Sequence, residues 1–258
     1  MAGSVVRISI APVKSLHLVH PEEIELTRSG VVGDRRFWLR DADWRLANGK
    51  RFPQLMQIRT EWDEETRRLV FELPGGGRVE GIVEPGEPVP AVMYGTDHPS
   101  RRVLGPWEAA ISELAGEPLT LLWSERGAVD RGAWLGGWAT IVSRASLERL
   151  REEAGAREAP DGRQFRMLFE IDGVGEHEED TWIGARVQVG EAIVAPLGDV
   201  GRCVVTTKNP DTGEHAFPTL DTLAGYRREG VTESLPLGIY CDVVEPGRVR
   251  LGDPVVPA

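Results

Sequence analysis

Short runs of apolar and β-branched residues recur along the chain, and glycine and proline separate them at short intervals. The clearest runs are residues 5–10, 37–40, 69–73, 187–189, 204–207 and 249–251. Runs of this length between turn signals are typical of strands in a β-sandwich or barrel. The segments 74–77 (PGGG) and 84–88 (EPGEP) are strong turn signals. The pattern therefore predicts a mainly β fold.

Helical periodicity is confined to three segments of the chain. The first segment, residues 107–114 (WEAAISEL), ends before an Ala-Gly pair. The second, residues 143–154, begins at Ser143, a suitable N-cap, and ends before Gly155. A third segment, 219–227, is short and contains a glycine. The predicted fold class is therefore mainly β (α+β), with two β-barrel-like domains, the second of which carries two or three helices.

A candidate domain boundary lies in the stretch 84–106, which is rich in proline and glycine and lacks sustained periodicity. Before it the pattern is nearly all strand and turn, and the helical segments follow it. We place a smaller β domain at residues 1–95 and a second β domain with the helices at residues 96–258.

Composition narrows the classes of function. The chain has 258 residues, with 41 acidic and 30 basic side chains and a formal net charge of −11, so we expect no nucleic-acid partner and no membrane surface partner. Two cysteines cannot build a disulfide scaffold or a four-cysteine metal site. Because residues 1–15 lack the apolar region of a signal peptide and no run approaches the roughly 20 residues of a membrane span, we expect a cytoplasmic protein.

Cys203 is the first candidate for chemistry. It lies between a glycine and a β-branched run in the segment 199–207 (DVGRCVVTT). A neighbouring arginine favours the thiolate, which is the form that attacks or binds a metal. Many free cysteines are only small buried apolar residues, and this interpretation stays open.

A local excess of positive charge lies near the start of this otherwise acidic chain, at Lys14, Arg35, Arg36, Arg40, Arg45, Lys50 and Arg51. Lys14 and Ser15 close the first predicted strand, and Arg35 and Arg36 follow a Gly-Asp turn. A lysine, a hydroxyl and an arginine that converge from neighbouring strand ends would bind a phosphate. A solvated basic face has the same composition, so both interpretations stay open.

Several motifs in a fixed order resemble one known family. They are PVKS at 12–15, GDRRFW at 33–38, QFR at 164–166, GRCVVTT at 201–207, NPDTG at 209–213 and GDPV at 252–255. Together they resemble the MOSC proteins, named after the C-terminal domain of molybdenum cofactor sulfurase. The closer resemblance is to the branch with an N-terminal MOSC β-barrel domain, which includes the amidoxime-reducing components.

The resemblance implies a molybdenum cofactor (molybdopterin) held between the two domains. Cys203 matches the family cysteine that ligates molybdenum or receives sulfur, and it is the implied catalytic residue and metal ligand. The implied cofactor-binding residues are Lys14, Ser15, Arg36, Arg166 and Arg202. A basic pocket suits an anion that ends in phosphate, and a thiolate suits a metal that is held by soft sulfur ligands.

Two departures from the family pattern stand out. Met167 and Leu168 follow Arg166 where the reductases carry Pro-Asn, and Val200 stands where several relatives have a second cysteine. The resemblance extends to neither a pyridoxal-phosphate domain nor a fused iron–sulfur domain. We therefore expect no desulfurase chemistry on free cysteine, and electrons that come from a separate protein.

Two functions follow as hypotheses. The first is a molybdenum cofactor-dependent oxidoreductase that reduces small N-hydroxylated or N-oxygenated substrates, with electrons from a ferredoxin- or cytochrome-like protein and its reductase. The alternative is a carrier that holds the cofactor, or a sulfur atom on Cys203, without redox turnover.

Overall fold

The computed structural model of the chain describes residues 2–125, 127 and 137–257. Within them the α-helices are α1 (Trp107–Ala115), α2 (Arg144–Glu153) and α3 (Thr219–Tyr226). The strands are β1 (Gly3–Ile8), β2 (Glu23–Thr27), β3 (Gly30–Val31), β4 (Phe37–Asp41), β5 (Leu46–Ala47), β6 (Arg59–Asp63), β7 (Arg68–Glu72), β8 (Arg78–Ile82), β9 (Glu84–Val89), β10 (Val92–Met93), β11 (Thr96–Asp97), β12 (Ser100–Leu104), β13 (Leu119–Ser124), β14 (Ala139–Ser143), β15 (Phe169–Asp172), β16 (Val187–Val189), β17 (Ala192–Gly201), β18 (Pro236–Glu245), β19 (Gly247–Arg250) and β20 (Pro254–Pro257). Short 3-10 helices cover Pro53–Gln57, Gly162–Phe165, Glu178–Trp182 and Val204–Thr207.

One part of the fold is a closed barrel of seven strands. Its strand order in the described residues is β1-β15-β14-β18-β17-β16-β20. The neighbours are antiparallel except for β14 and β15, which run parallel. Alternate residues of these strands fill the interior; Ile8, Ile141, Phe169, Val187 and Ile239 are fully buried in it. Period-2 burial of this kind is what the short apolar runs predict.

A second core lies between two smaller sheets and α1. One sheet has the order β5-β4-β13-β12-β9, and the other has the order β6-β7-β8. Phe37, Phe71 and Trp107 are buried between them, and the Trp107 indole donates to the Leu69 carbonyl at 3.2 Å. The mainly β class with helices is therefore confirmed.

Strand pairing crosses the predicted boundary near residue 95. Strand β1 lies in the barrel, between β15 and β20. Strands β12 and β13 follow residue 95, yet they pair with β9 and β4 in the five-stranded sheet. Strand β19 pairs with β2. The division into 1–95 and 96–258 stays a prediction, and each part exchanges strands with the other.

The predicted helices are confirmed with their end signals. Ser143 accepts a hydrogen bond from the Ser146 amide at the start of α2, and Gly116 takes the left-handed conformation after α1. No helix of the described residues is long and apolar enough to cross a membrane.

The strand predicted at residues 204–207 is wrong, because this segment is a 3-10 helix. The Cys203 carbonyl accepts hydrogen bonds from both the amide and the hydroxyl of Thr206, each at 2.9 Å. The Thr207 hydroxyl donates to the Val204 carbonyl at 2.8 Å. These local bonds outweigh the β propensity of the valines and threonines.

Candidate functional site

A cavity of about 240 Å³ opens between one end of the barrel and the segments that lead into the smaller sheets. Its lining combines residues from the start of the chain with residues that precede β15, residues at the end of β17 and just after it, and residues before and within β18. Of the residues predicted from sequence, the cavity brings together Lys14, Ser15, Arg166, Arg202 and Cys203.

Cys203 is half-buried at the cavity wall, directly after β17. The 3-10 helix fixes its carbonyl on one side. The turn that follows is held by Asn209, whose side-chain oxygen accepts from the amides of Asp211 and Thr212 at 2.8 and 3.1 Å. The backbone that follows the thiol is therefore held by hydrogen bonds in both the 3-10 helix and the NPDTG turn.

The Arg202 side chain is held against the cavity wall by contacts on several sides. Its guanidinium donates to the Leu237 and Phe165 carbonyls, at 2.9 and 3.1 Å, and to the Met167 sulfur at 2.9 Å. It also lies 5.4 Å from the centre of the Phe165 ring. These contacts fix a positive charge beside Cys203.

Lys14 and Arg166 place two further cations at the cavity. Lys14 is only 6% exposed, and its amide donates to the Phe37 carbonyl at 2.8 Å. Arg166 ends the 3-10 helix Gly162–Phe165 in the left-handed conformation, and its guanidinium donates to the Leu16 carbonyl at 2.8 Å. The backbone of Lys14 and the side chain of Arg166 are therefore both held by hydrogen bonds.

Backbone strain concentrates around the same cavity. Eight non-glycine residues of the described chain have positive φ. Four of them line the cavity: Ser15 (φ 75°), Arg35 (φ 49°), Tyr94 (φ 50°) and Arg166 (φ 53°). Side chains in this region each cost about 1 kcal/mol or more, and such residues cluster at functional sites. This clustering supports a binding role for the cavity independently of its charge.

The two neighbouring arginines, Arg35 and Arg36, point to different places. Arg35 lines the cavity, where its guanidinium pairs with Asp34 and donates to the Arg166 carbonyl at 3.2 Å. Arg36 is not among the lining residues; it makes two hydrogen bonds to Glu64, at 2.7 and 3.2 Å, and one to the Glu125 carbonyl at 2.9 Å. The structure thus brings Arg35 to the site and leaves Arg36 outside it.

The charge of the cavity is opposite to that of the chain. The charged residues that line it are one glutamate, Glu233, and five cations: Lys14, Arg35, Lys50, Arg166 and Arg202. Five positive side chains against one carboxylate, in a protein of net charge −11, favour an anionic ligand. Neither Lys50 nor Glu233 was predicted as a site residue. Lys50 belongs to the local excess of basic residues that includes Lys14 and Arg35, whereas no sequence motif marks Glu233.

An ion-pair network connects the turn after Cys203 to the first segment of the chain. The Asp211 carboxylate lies 2.9 Å from the His17 ring and accepts from Arg163 at 2.7 and 3.0 Å. The hydrogen bond from Arg163 is the largest of the contacts that lower the pKa of Asp211, to about 2. This carboxylate therefore stays ionised, and it ties the Cys203 turn to the N-terminal segment.

The described residues supply few metal ligands of their own. They contain no group of three or more His, Cys, Asp or Glu side chains that could hold a metal ion. Cys241 lies in β18 away from the cavity lining, and burial raises the pKa of its thiol. Cys203 is therefore the one thiol among the described residues that line the cavity.

Comparison with known proteins identifies two domains. Residues 2–94 match the family model of the MOSC N-terminal beta barrel domain, and residues 139–256 match that of the MOSC domain.

Three relatives illustrate the similarity. The chain is 34% identical over 122 residues to the mitochondrial amidoxime-reducing component 1 of Mus musculus, which covers 45% of the chain and 35% of that protein. It is 27% identical over 290 aligned positions to the mitochondrial amidoxime reducing component 2 of Bos taurus, which covers 98% and 82%. It is 24% identical over 255 positions to the molybdenum cofactor sulfurase of Oryza sativa subsp. japonica, which covers 86% of the chain and 30% of that protein. The chain thus spans about a third of the length of two of these relatives.

Proposed function

The chain belongs to the MOSC domain family, in the branch with an N-terminal MOSC beta barrel domain, and from this membership we propose that it is an oxidoreductase that binds the molybdenum cofactor. Relatives named for amidoxime reduction and for the molybdenum cofactor support this assignment. The proposed substrates are small N-hydroxylated or N-oxygenated compounds. The proposed electron source is a separate ferredoxin- or cytochrome-like protein with its reductase.

The observation that carries the proposal is the cavity, whose lining includes one thiol and five basic side chains. The cofactor is an anion with a phosphate end and a metal held by soft sulfur. The cations match the anion, and the Cys203 thiolate matches the soft metal. The residues present therefore fit the group that the family implies.

The roles of the residues follow from their positions. Cys203 would be the protein ligand of the metal, and when bound the cofactor would supply the two-electron chemistry. Lys14, Ser15 and Arg166 would bind its anionic end, while Arg202, anchored to backbone carbonyls, would hold a fixed positive charge next to the thiolate. Such preformed charges bind a cofactor without reorganisation.

The role that the family pattern gives to Arg36 is better suited to Arg35. The Arg36 guanidinium is already satisfied by Glu64 and by backbone carbonyls outside the cavity. Arg35 lines the cavity and is oriented by Asp34, whose other oxygen accepts from the Ala11 amide at 2.7 Å. We assign the phosphate contact to Arg35 and a bracing role to Arg36.

The test is the molybdenum and pterin content of the protein, purified from a host that makes the cofactor. Near-stoichiometric metal and pterin in the wild type, with pterin kept but metal lost in Cys203→Ser, would support the site. If the well-folded wild type contains neither metal nor pterin, the oxidoreductase assignment is overturned. Reduction of benzamidoxime with ferredoxin or cytochrome b5 and the matching reductase then tests the activity.

One observation favours the alternative, a non-redox carrier of the cofactor or of sulfur on Cys203. Met167 and Leu168 are buried at the cavity, and the Met167 sulfur contacts Arg202 at 2.9 Å. The reductases of the family have a polar asparagine in this segment, so the chain presents a more apolar wall. Cofactor binding without turnover under any electron donor would support the carrier.

A further inference from the structure

The turn that follows Cys203 carries a carboxylate that contacts two other segments of the chain. Asp211 is the third residue of the NPDTG turn. Its two oxygens accept from the two terminal nitrogens of the Arg163 guanidinium, at 2.7 and 3.0 Å. One of them also lies 2.9 Å from Nε2 of the His17 ring. A forked contact of this kind fixes direction as well as distance.

Arg163 belongs to the segment that carries the cavity cation Arg166. It lies in the 3-10 helix Gly162–Phe165, and Arg166 ends this helix one turn later. Asp161 accepts from the Arg163 amide at 2.9 Å and from the Arg163 guanidinium at 2.6 and 2.9 Å. The guanidinium that reaches Asp211 is therefore held in a defined position relative to Arg166.

His17 belongs to the segment that carries Lys14 and Ser15. It is buried, and its ring lies between two acceptors, the Leu18 carbonyl at 2.8 Å and Asp211 at 2.9 Å. A ring nitrogen that carries a hydrogen donates to one of these acceptors. Because His17 follows Ser15 by two residues, the contact with Asp211 connects the thiol turn to the start of the cavity lining.

The chain is tied to one helix on each side of the thiol. Before Cys203, the Arg202 guanidinium donates to the Phe165 carbonyl at 3.1 Å. After Cys203, Asp211 accepts from Arg163. Both contacts reach the 3-10 helix at residues 162–165, so the thiol lies between two tethers to the helix that ends in a cavity cation.

We infer that Asp211 is a positioning residue, which couples the turn behind the Cys203 thiol to the two segments that carry the cavity cations. Asp211 does not itself line the cavity. The inference rests on the proposed function, because one cofactor molecule must meet the thiol with its metal and the cations with its phosphate end. A ligand held at both ends binds tightly only when the spacing between the two contacts is already set.

The experiment compares the rate at which iodoacetamide labels Cys203 at pH 8 in cofactor-free wild type and variants. Asp211→Asn keeps the size of the side chain and removes its charge. Arg163→Gln removes the partner, and the double variant completes a mutant cycle. Asp211→Glu restores the carboxylate. Cys241 is fully buried and serves as the internal control, because it is labelled only when the barrel opens.

Asp180→Asn is the matched control. Asp180 pairs with Arg227 at 2.6 Å, and neither lines the cavity. Their side chains are 19% and 17% exposed, against 41% and 25% for the pair of Asp211 and Arg163. The control therefore removes a more deeply buried ion pair, and it should lower the urea midpoint without moving the thiol.

We expect Asp211→Asn to raise the rate of Cys203 labelling about threefold or more, because loss of a partly exposed ion pair favours local opening of the turn. Arg163→Gln should also raise the rate, and the double variant should react no faster than Asp211→Asn. Asp211→Glu should react more slowly than Asp211→Asn. Asp180→Asn should match wild type, and Cys241 should stay unlabelled throughout.

The same variants are then loaded with cofactor, and pterin release and the ratio of molybdenum to pterin are measured. Asp211→Asn should release pterin about threefold faster or more and hold less molybdenum per pterin than Asp180→Asn. The inference is overturned if Asp211→Asn labels Cys203 no faster than wild type. It is also overturned if Asp180→Asn raises the rate equally, or if Cys241 is labelled in parallel with Cys203.

The two arms separate this inference from the proposed function. If wild type binds the cofactor, and Asp211→Asn changes neither Cys203 labelling nor pterin release, the role of Asp211 is refuted and the assignment stands. If wild type holds neither metal nor pterin, the assignment is refuted. Faster and non-additive Cys203 labelling in the Asp211 and Arg163 variants would then still support the coupling.

Discussion

The neighbouring residues Arg35 and Arg36 provide a matched test of how the cavity binds an anion. The Arg35 guanidinium lines the cavity, whereas the Arg36 guanidinium pairs with Glu64 outside it. A methionine at either position removes the charge and keeps most of the apolar stem. We expect Arg35→Met to weaken cofactor binding, and Arg36→Met to lower the free energy of unfolding instead.

The sizes of the two effects follow from the contacts. A hydrogen bond to an ionised group contributes about 1.5–3 kcal/mol, so loss of one contact to the phosphate end would lower cofactor affinity roughly 10- to 150-fold in Arg35→Met. The Arg36 side chain is 15% exposed, but the Glu64 side chain is 40% exposed, so solvent screens their ion pair. With the additional bond to the Glu125 carbonyl, we expect Arg36→Met to cost about 1–2 kcal/mol of stability.

The assay is pterin fluorescence of each variant after graded dilution and filtration, beside unfolding in urea. Arg35→Met should retain less pterin than wild type at every dilution, and Arg36→Met should match wild type in pterin while its urea midpoint falls. The opposite result, with pterin lost from Arg36→Met and kept in Arg35→Met, would refute the reasoning from the cavity. The family pattern, which points to Arg36, would then hold.

Three further predictions concern stability and reactivity. Replacement of the α2 N-cap, Ser143→Ala, should cost about 1 kcal/mol in urea unfolding; no loss would mean that the cap contributes nothing. The pKa of Asp211 is lowered to about 2, so its ionised form stabilises the fold at pH values above about 4, the ordinary pKa of an aspartate. This contribution should be lost as the pH falls from about 4 to about 2. Thermal unfolding across that range should show a shallower decline in Asp211→Asn, and identical profiles would contradict this. Iodoacetamide should label half-buried Cys203 in cofactor-free protein at pH 8 and leave Cys241 unlabelled until the chain is unfolded, because burial raises the pKa of the Cys241 thiol.

Features set by neighbouring residues were predictable from the sequence. The helix that begins at Ser143 has its cap and its apolar face within one short segment. The NPDTG turn is likewise held by the side chain of its own Asn209. The prediction of a strand at residues 204–207 was wrong, although the β-branched run that suggested it is local. Hydrogen bonds to the Cys203 carbonyl compete with the β propensity of these residues.

Features set by distant residues were not predictable from one sequence. Nothing near β1 indicates that it pairs with β15 and β20 rather than with the strands that follow it. The choice between Arg35 and Arg36 depends on a positive φ at Arg35 and on the position of Glu64. Glu233 is brought to the cavity by Asp199 through tertiary contacts, so no sequence motif marks it.

The position of β1 in the barrel also affects synthesis of the protein on the ribosome. Strand β1 pairs with β15 and with β20, which is made roughly 250 residues later. At about 5–20 residues per second, roughly 12 to 50 seconds pass before the barrel can close. During this interval one or both hydrogen-bonding edges of β1 lack their native partner strand, and its apolar face lacks the closed barrel around it. A chaperone or a transient non-native contact would have to cover the strand.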